Sequence, residues 1–172
     1  MSAIYSKIAQ QAAEHYARTG TYMPVPNTLT KDLLVQKACF VSVIEQPGSR
    51  VRGAFGTPLP HCTSLAQEII ENTVEAIVRH NVRMRAIDAM HYGYVVAVLG
   101  PIERISNKEH LKPRLFGLYL RSDKNKMALL LPGRPGIDTP DEQIATAIRE
   151  AGVDSRSEAI TMYRFPVTSY GP

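Results

Sequence analysis

The sequence contains no tryptophan and only two cysteines, so its core must be built from other apolar residues without disulfide staples. Cys39 and Cys62 are too few for a disulfide-rich secreted domain, and their low number fits a reducing cytosol. A chain of 172 residues buries roughly 70% of its unfolded surface when it folds, so it does not depend on disulfide bonds for stability. An apolar fraction of 44% also argues against disorder.

Long apolar runs and a strong charge excess are also missing. No stretch approaches the roughly 18 apolar residues of a membrane span, and no charged region followed by an apolar run indicates a signal peptide. We therefore expect a cytoplasmic protein without a membrane segment. Lysine and arginine total 20 against 16 acidic residues, which leaves a net charge of +4. No basic stripe interleaved with aromatic residues accompanies this charge, so nucleic acid is not an expected partner.

Apolar residues recur at helical or alternating spacing along most of the chain. Three helices are predicted: one from Ile4 to Gly20, one from Ser64 to His80–Asn81, and one from Thr139 to Gly152. Ser2 is a candidate cap for the first helix, and both later helices begin with a capping-box sequence. The predicted strands are Lys37–Glu45, Arg50–Thr57, Tyr94–Leu99 with a continuation at Ile102–Ile105, Leu115–Arg121, Met127–Leu131 and Ala159–Tyr170.

Hairpins interrupted by helices predict an α+β fold with a largely antiparallel sheet and about three helices. No repeat, low-complexity segment or linker divides the sequence. Its length fits a single domain over residues 1–172, or two small lobes that share a core.

A short segment with two glycines is the first candidate site. Residues 51–57 read VRGAFGT, and Gly53 and Gly56 weaken a strand unless something compensates. The glycines could let a ligand or another backbone approach the chain, with Arg52 and Thr57 as donors. Alternatively, the segment is a bulge or a packing site beneath a helix, with Arg52 paired to a carboxylate. The residues alone favour the second interpretation.

This two-glycine segment resembles the LRGCIGT signature of the AMMECR-type domain family. Further similar motifs follow in the family's order between about Phe40 and Tyr170. They are FVSV at 40–43, the apolar run 94–99, GL at 117–118 with ALLLPG at 128–133, GIDTPDEQ at 136–143 and YRF at 163–165. Within the family, the chain resembles the bacterial members called AmmeMemoRadiSam system protein A.

The resemblance implies an α+β fold and, through gene context, an association with a Memo-like protein and a radical-SAM protein. It implies no particular reaction, because none is assigned to the family. Ala54 stands where the family signature usually has cysteine, so a thiol at that position is absent. Residues 81–84 read NVRM in place of the family's DPRF, so Arg83 is retained while the acid and the proline are lost.

His61 and Cys62 follow the two-glycine segment and are further candidates. A nucleophilic thiol needs a base or a positive environment beside it. Side chains of adjacent residues rarely face each other, so we do not expect His61 to activate Cys62. The five histidines are scattered without the spacing of a zinc motif, although three could converge in the fold. We therefore predict neither a metal site nor a cofactor.

These observations favour a binding or accessory protein over an enzyme. Its surface would comprise Arg52, Gly53, Gly56, Thr57 and Arg83, with the two arginines holding a small anionic ligand. The cluster Arg79, Arg83 and Arg85 is better explained, however, as solvated charge that complements the negative end of a helix dipole. The rival hypothesis is an enzyme of unassigned class that uses a cleft around Arg52, His61 and Cys62.

Overall fold

The computed structural model describes residues 3–172 as two compact units. The first unit contains the chain as far as Val98 and then Ser169–Pro172, whereas the second unit is Leu99–Thr168. In sequence, the second unit is therefore inserted into the first. Ser2, the candidate helix cap, lies outside the described residues.

The first unit combines helices with a four-stranded sheet. Its elements are α1 (Ala3–Thr19), α2 (Lys31–Leu34), β1 (Cys39–Glu45), β2 (Val51–Gly56), α3 (Leu65–Arg79), a 3-10 segment (Ala86–His91), β3 (Tyr92–Leu99) and β8 (Val167–Tyr170). The boundary between the units falls within the last two of these strands, since Leu99, Val167 and Thr168 are assigned to the second unit. The strand order is β2-β1-β3-β8, and β1 pairs antiparallel with both β2 and β3.

Alternation along β1 determines which of its faces is buried. Val41 and Val43 are fully buried, whereas Ser42 between them is only partly buried. Helix α3 packs its apolar stripe, including Ile69, into the same core. The ring of Tyr170 at the end of β8 stacks on Tyr5 of α1, with centroids 3.9 Å apart, so the end of the last strand packs against the first helix.

The second unit places one long helix beside a second four-stranded sheet. Its elements are β4 (Glu103–Ile105), a 3-10 segment (Lys108–His110), β5 (Gly117–Ser122), β6 (Met127–Leu130), α4 (Pro140–Ala151) and β7 (Ile160–Phe165). The strand order is β4-β7-β5-β6, and each of these neighbours is antiparallel. Leu118, Leu120 and Leu130 lie in the core of this unit.

The start and end of α4 follow from its sequence. Thr139 Oγ1 accepts the N–H of Glu142 at 3.3 Å, and the Glu142 carboxylate accepts the N–H of Thr139 at 2.9 Å. This is the predicted capping box. Gly152 then ends the helix in the left-handed conformation, with φ at 65°.

The α+β class and the predominance of antiparallel pairing are confirmed, but several details differ from the sequence-based expectation. The strands form two sheets, and the predicted single strand Ala159–Tyr170 is divided into β7 and β8. Pro166 separates these two strands because it has no N–H to donate to a sheet ladder. The described residues also contain the short helix α2 and the two 3-10 segments, which the apolar pattern did not reveal. None of the helices described for residues 3–172 is both long enough and apolar enough to cross a bilayer.

Candidate functional site

Packing accounts for both glycines of the two-glycine segment. A Cβ at Gly53 would lie 2.3 Å from the carbonyl oxygen of Ala76 in α3 and 3.0 Å from Val82 Cγ2. A Cβ at Gly56 would lie 2.4 Å from a ring carbon of Phe40 and 2.7 Å from its Cα. Larger residues would therefore force β2 away from α3 and β1.

Of the two hydrogen-bond donors predicted in this segment, Arg52 is the more available to an external ligand. Its Nη1 lies 3.2 Å from Glu45 Oε2, and the two side chains are 37% and 45% exposed. An exposed ion pair of this kind contributes only about 0–1 kcal/mol, so a ligand could replace the glutamate at little cost. The hydroxyl of Thr57, by contrast, donates to the carbonyl oxygen of Leu59 at 2.7 Å and is used within its own turn.

The arginines around the end of α3 have separate surroundings. Arg79 Nε lies 2.6 Å from Glu75 Oε2, four residues earlier on the helix. Arg85 pairs at 2.9 Å with Asp88. Arg83 is exposed, and no ion pair involves it among the described residues. Arg83 is therefore the member of this group that is left for an external anion.

His61, Cys62 and Glu68 meet at the start of α3. One ligating atom from each side chain lies within 4.8 Å of the other two. His61 Nδ1 is 2.8 Å from Glu68 Oε1, and His61 Nε2 is 3.4 Å from Glu71 Oε2. We call these four residues the His61 cluster. Within residues 3–172, no other group of three or more metal-ligating side chains meets in this way.

Helix α3 and the loop before it position the His61 cluster. Ser64 caps the helix, Glu68 lies in its first turn, and Glu71 follows on the same face. Glu68 Oε2 accepts the backbone N–H of His61 at 3.1 Å and that of Cys62 at 2.9 Å. The carboxylate thus fixes the backbone of the two residues whose side chains lie beside it.

The two oxygens of Glu68 differ in their surroundings. The residue is fully buried, and Oε2 has both backbone donors. Oε1 faces the ring of His61, but the 2.8 Å contact lacks hydrogen-bond geometry and Oε1 has no hydrogen-bond partner. Burying a carboxylate oxygen without a donor is costly unless a positive charge neutralises it.

The Cys62 thiol is poorly suited to act as a free nucleophile. The residue is only 5% exposed. Burial, together with the charges of Glu68 and Glu71, raises the pKa of the thiol well above its usual value of 9.0. Because the thiolate is the reactive form, this environment keeps Cys62 unreactive near neutral pH.

Sequence reasoning identified His61 and Cys62 but overlooked Glu68 and Glu71. It also expected the side chains of the adjacent residues His61 and Cys62 not to meet, whereas both reach the same carboxylate. The signal that could have revealed the cluster was the pair of acids one turn apart in the helix that follows His61. The expectation of an isolated histidine failed because the loop folds back over the helix start.

The sequence matches the AMMECR1 family over residues 6–170, which is nearly the whole chain. The chain belongs to the AMMECR1 family. The crystal structure of the uncharacterised protein PH0010 from Pyrococcus horikoshii superposes with a TM-score of 0.85 and covers 98% of this chain and 89% of that one. The two sequences are 22% identical, so this likeness shows the shared AMMECR fold.

Two relatives extend the comparison to other organisms. A Thermotoga maritima protein is 29% identical over 170 residues, which cover 96% of each chain. Protein CA_C1420 of Clostridium acetobutylicum is also 29% identical over 171 residues, and the match covers 96% of this chain. The match covers only 35% of the Clostridium protein, so that AMMECR1 relative is a much longer chain.

Proposed function

We propose that this AMMECR1-family protein is a cytoplasmic binding or accessory component that works with a radical-SAM protein and a Memo-like protein. Its resemblance to bacterial members with that gene context supports these partners, and the role corresponds to AmmeMemoRadiSam system protein A. The working surface would comprise Arg52, Gly53, Gly56 and Thr57 of the hairpin, together with Arg83 in the loop that follows α3.

The exposed ion pair of Arg52 carries this proposal. Its guanidinium is partly exposed and, among the residues that the structure describes, its only ion-pair partner is Glu45, whose own side chain is 45% exposed. A guanidinium can bind a carboxylate or a phosphate through two parallel hydrogen bonds. Exchange of Glu45 for such a group would retain a charge pair while freeing the glutamate to face water. A small anion, or an acidic group on a partner, is therefore the expected ligand.

A pull-down with the tagged full chain from its own host tests the partners and the surface together. We expect the wild type to recover a radical-SAM or Memo-like protein, and Arg52→Ala to lose it. Arg50→Ala is the matched control, because Arg50 is an exposed arginine of the same hairpin and makes no ion pair among the described residues. The Arg50 variant should behave like the wild type.

Three outcomes would count against parts of the proposal. Recovery of neither partner by the wild type would contradict the accessory role. Equal recovery by Arg52→Ala and the wild type would remove Arg52 from the binding surface. Equal loss in the Arg50 and Arg52 variants would show that general positive charge, and not the Arg52 site, holds the partner.

The second candidate is an enzyme that uses the cleft around Arg52, His61 and Cys62. The close approach of His61 and Cys62 favours it, whereas the burial of the thiol opposes it. Alkylation at neutral pH distinguishes the two candidates. Labelling of Cys62 much faster than that of the fully buried Cys39 would support the enzyme. Equally slow labelling of both thiols, with fast labelling in denaturant, would support an inert site.

A further inference from the structure

We propose that His61, Cys62 and Glu68 form a binding site for one divalent metal ion, and that Zn²⁺ suits the site best. The ligands would be His61 Nδ1, Cys62 Sγ and Glu68 Oε1. None of these ligands belongs to the proposed Arg52 surface, and the site requires neither a partner protein nor an anionic ligand.

The separations between the ligating atoms support a single ion. With bonds of about 2.0–2.3 Å, neighbouring ligand atoms of a tetrahedral zinc lie roughly 3.3–3.7 Å apart. The observed Nδ1–Oε1 separation is 2.8 Å, and all three atoms lie within 4.8 Å of one another. Movements of about an ångström, which rotation of the partly exposed His61 ring can supply, would complete the geometry.

The unpartnered oxygen of Glu68 is the independent observation that points to a cation. Glu68 is fully buried, and its Oε1 has no hydrogen-bond partner although Oε2 has two. An ion between Oε1 and Nδ1 would supply the positive charge that a buried carboxylate requires. It would also explain why the ring nitrogen approaches the oxygen without forming a hydrogen bond.

Outer contacts orient the ligands as they do in known metal sites. Metal-binding histidines usually donate their second ring N–H to a carboxylate. His61 Nε2 lies 3.4 Å from Glu71 Oε2, and Gln67 Nε2 donates to the other oxygen of Glu71 at 3.0 Å. Glu71 would therefore fix the ring of His61 so that Nδ1 faces the ion.

The donor set determines the class of metal. A thiolate, an imidazole and a carboxylate together suit borderline-soft ions such as Zn²⁺ and Co²⁺, whereas Mg²⁺ and Ca²⁺ prefer oxygen alone. The thiol proton of Cys62 would be released when the metal–sulfur bond forms. Three protein ligands leave the fourth tetrahedral position to water, and the 39% exposed side chain of His61 gives solvent access to it.

Titration of the metal-free full chain with Co²⁺ tests this proposal spectroscopically. We expect one Co²⁺ per chain, a thiolate-to-cobalt charge-transfer band, and displacement of the cobalt by one equivalent of Zn²⁺. Cys62→Ser should abolish the band, and His61→Gln should weaken binding at least tenfold. Glu71→Gln should keep the band and weaken binding by about tenfold or more, as expected for a residue that positions a ligand.

Matched controls separate these effects from damage to the fold. Cys39→Ala removes the other cysteine, and His91→Gln removes an exposed histidine elsewhere in the same unit. Both should bind Co²⁺ like the wild type. A wild-type chain that takes up no stoichiometric Co²⁺ or Zn²⁺ would overturn the proposal. An unchanged band in Cys62→Ser, in a variant whose circular dichroism matches the wild type, would do the same.

Discussion

The carbonyl oxygen of Ala76 occupies the space that a side chain at Gly53 would need, because a Cβ there would lie only 2.3 Å from it. Helix α3 thus approaches strand β2 as closely as a glycine allows. The first glycine of the family signature consequently has a structural function in this chain. It sets the distance between the strand that carries Arg52 and the helix that carries Glu68.

Gly53→Ala should destabilise the protein by about 1–3 kcal/mol, because the obstructing atom belongs to the backbone and β2 or α3 must shift. Urea unfolding measures the loss. Gly133→Ala is the control, since Gly133 has a φ of 71° but open space around it. In the control, the free energy of unfolding should fall by only about 1 kcal/mol, which is the cost of holding alanine in a left-handed conformation. A loss at Gly53 smaller than that at Gly133 would contradict the packing explanation.

Arg52→Ala should change the free energy of unfolding by less than about 1 kcal/mol, because the pair with Glu45 is exposed. Glu45→Gln should have an equally small effect. The same urea series measures both variants. A much larger loss would indicate that Arg52 supports the hairpin, and reduced partner binding by Arg52→Ala would then not identify a binding surface.

Thr139→Ala should destabilise the second unit by about 1 kcal/mol, because the N–H of Glu142 loses its acceptor. Thr139→Ser retains a hydroxyl at the same position and should recover most of the loss. The unfolding midpoints of the wild type, Thr139→Ala and Thr139→Ser test this prediction. If the serine variant were as unstable as the alanine variant, the methyl group of Thr139 and not its hydroxyl would be the stabilising part.

The free energy of unfolding should decrease as the pH is lowered, partly because of Glu158. The hydrogen bond from Lys126, 2.6 Å away, lowers the pKa of Glu158 from the usual 4.5 to about 2. Because the folded-state pKa is depressed, the ionised carboxylate stabilises the protein above about pH 4.5. This contribution is lost as the pH falls from about 4.5 towards 2.

Glu158→Gln isolates this effect from that of other carboxylates. The difference in unfolding midpoint between wild type and variant should be clear at about pH 6 and shrink at about pH 2.5. Lys126→Met should show the same convergence, since it removes the donor. A difference that stays constant across this range would mean that Glu158 acts by packing and not by its charge.

Local sequence signals predicted much of the fold. The caps at Ser64 and Thr139 and the stop at Gly152 depend on neighbouring residues, so the ends of α3 and α4 could be read directly. The strand-forming residues of Lys37–Glu45 likewise predicted β1. The division of the last predicted strand at Pro166 was missed, because strand-forming residues on both sides obscure a change from one sheet to the other.

The candidate site was less accessible to sequence reasoning. The His61 cluster forms because the loop before α3 folds back over the start of the helix, and no periodic sequence pattern encodes that path. Glu68 appeared to be an ordinary helix residue, and only its complete burial reveals its importance. Arg52 could be identified from the signature, but the exposed partner Glu45 seven residues earlier could not be inferred from spacing.

The position of β8 has a consequence for synthesis on the ribosome. Tyr170 stacks on Tyr5, yet residues 100–166 are translated between β3 and β8, the strand that completes the first sheet. The edge of β3 that β8 covers therefore stays unpaired until β8 has been translated. During that interval the nascent chain exposes an unpaired strand edge, to which chaperones can bind and through which chains can aggregate.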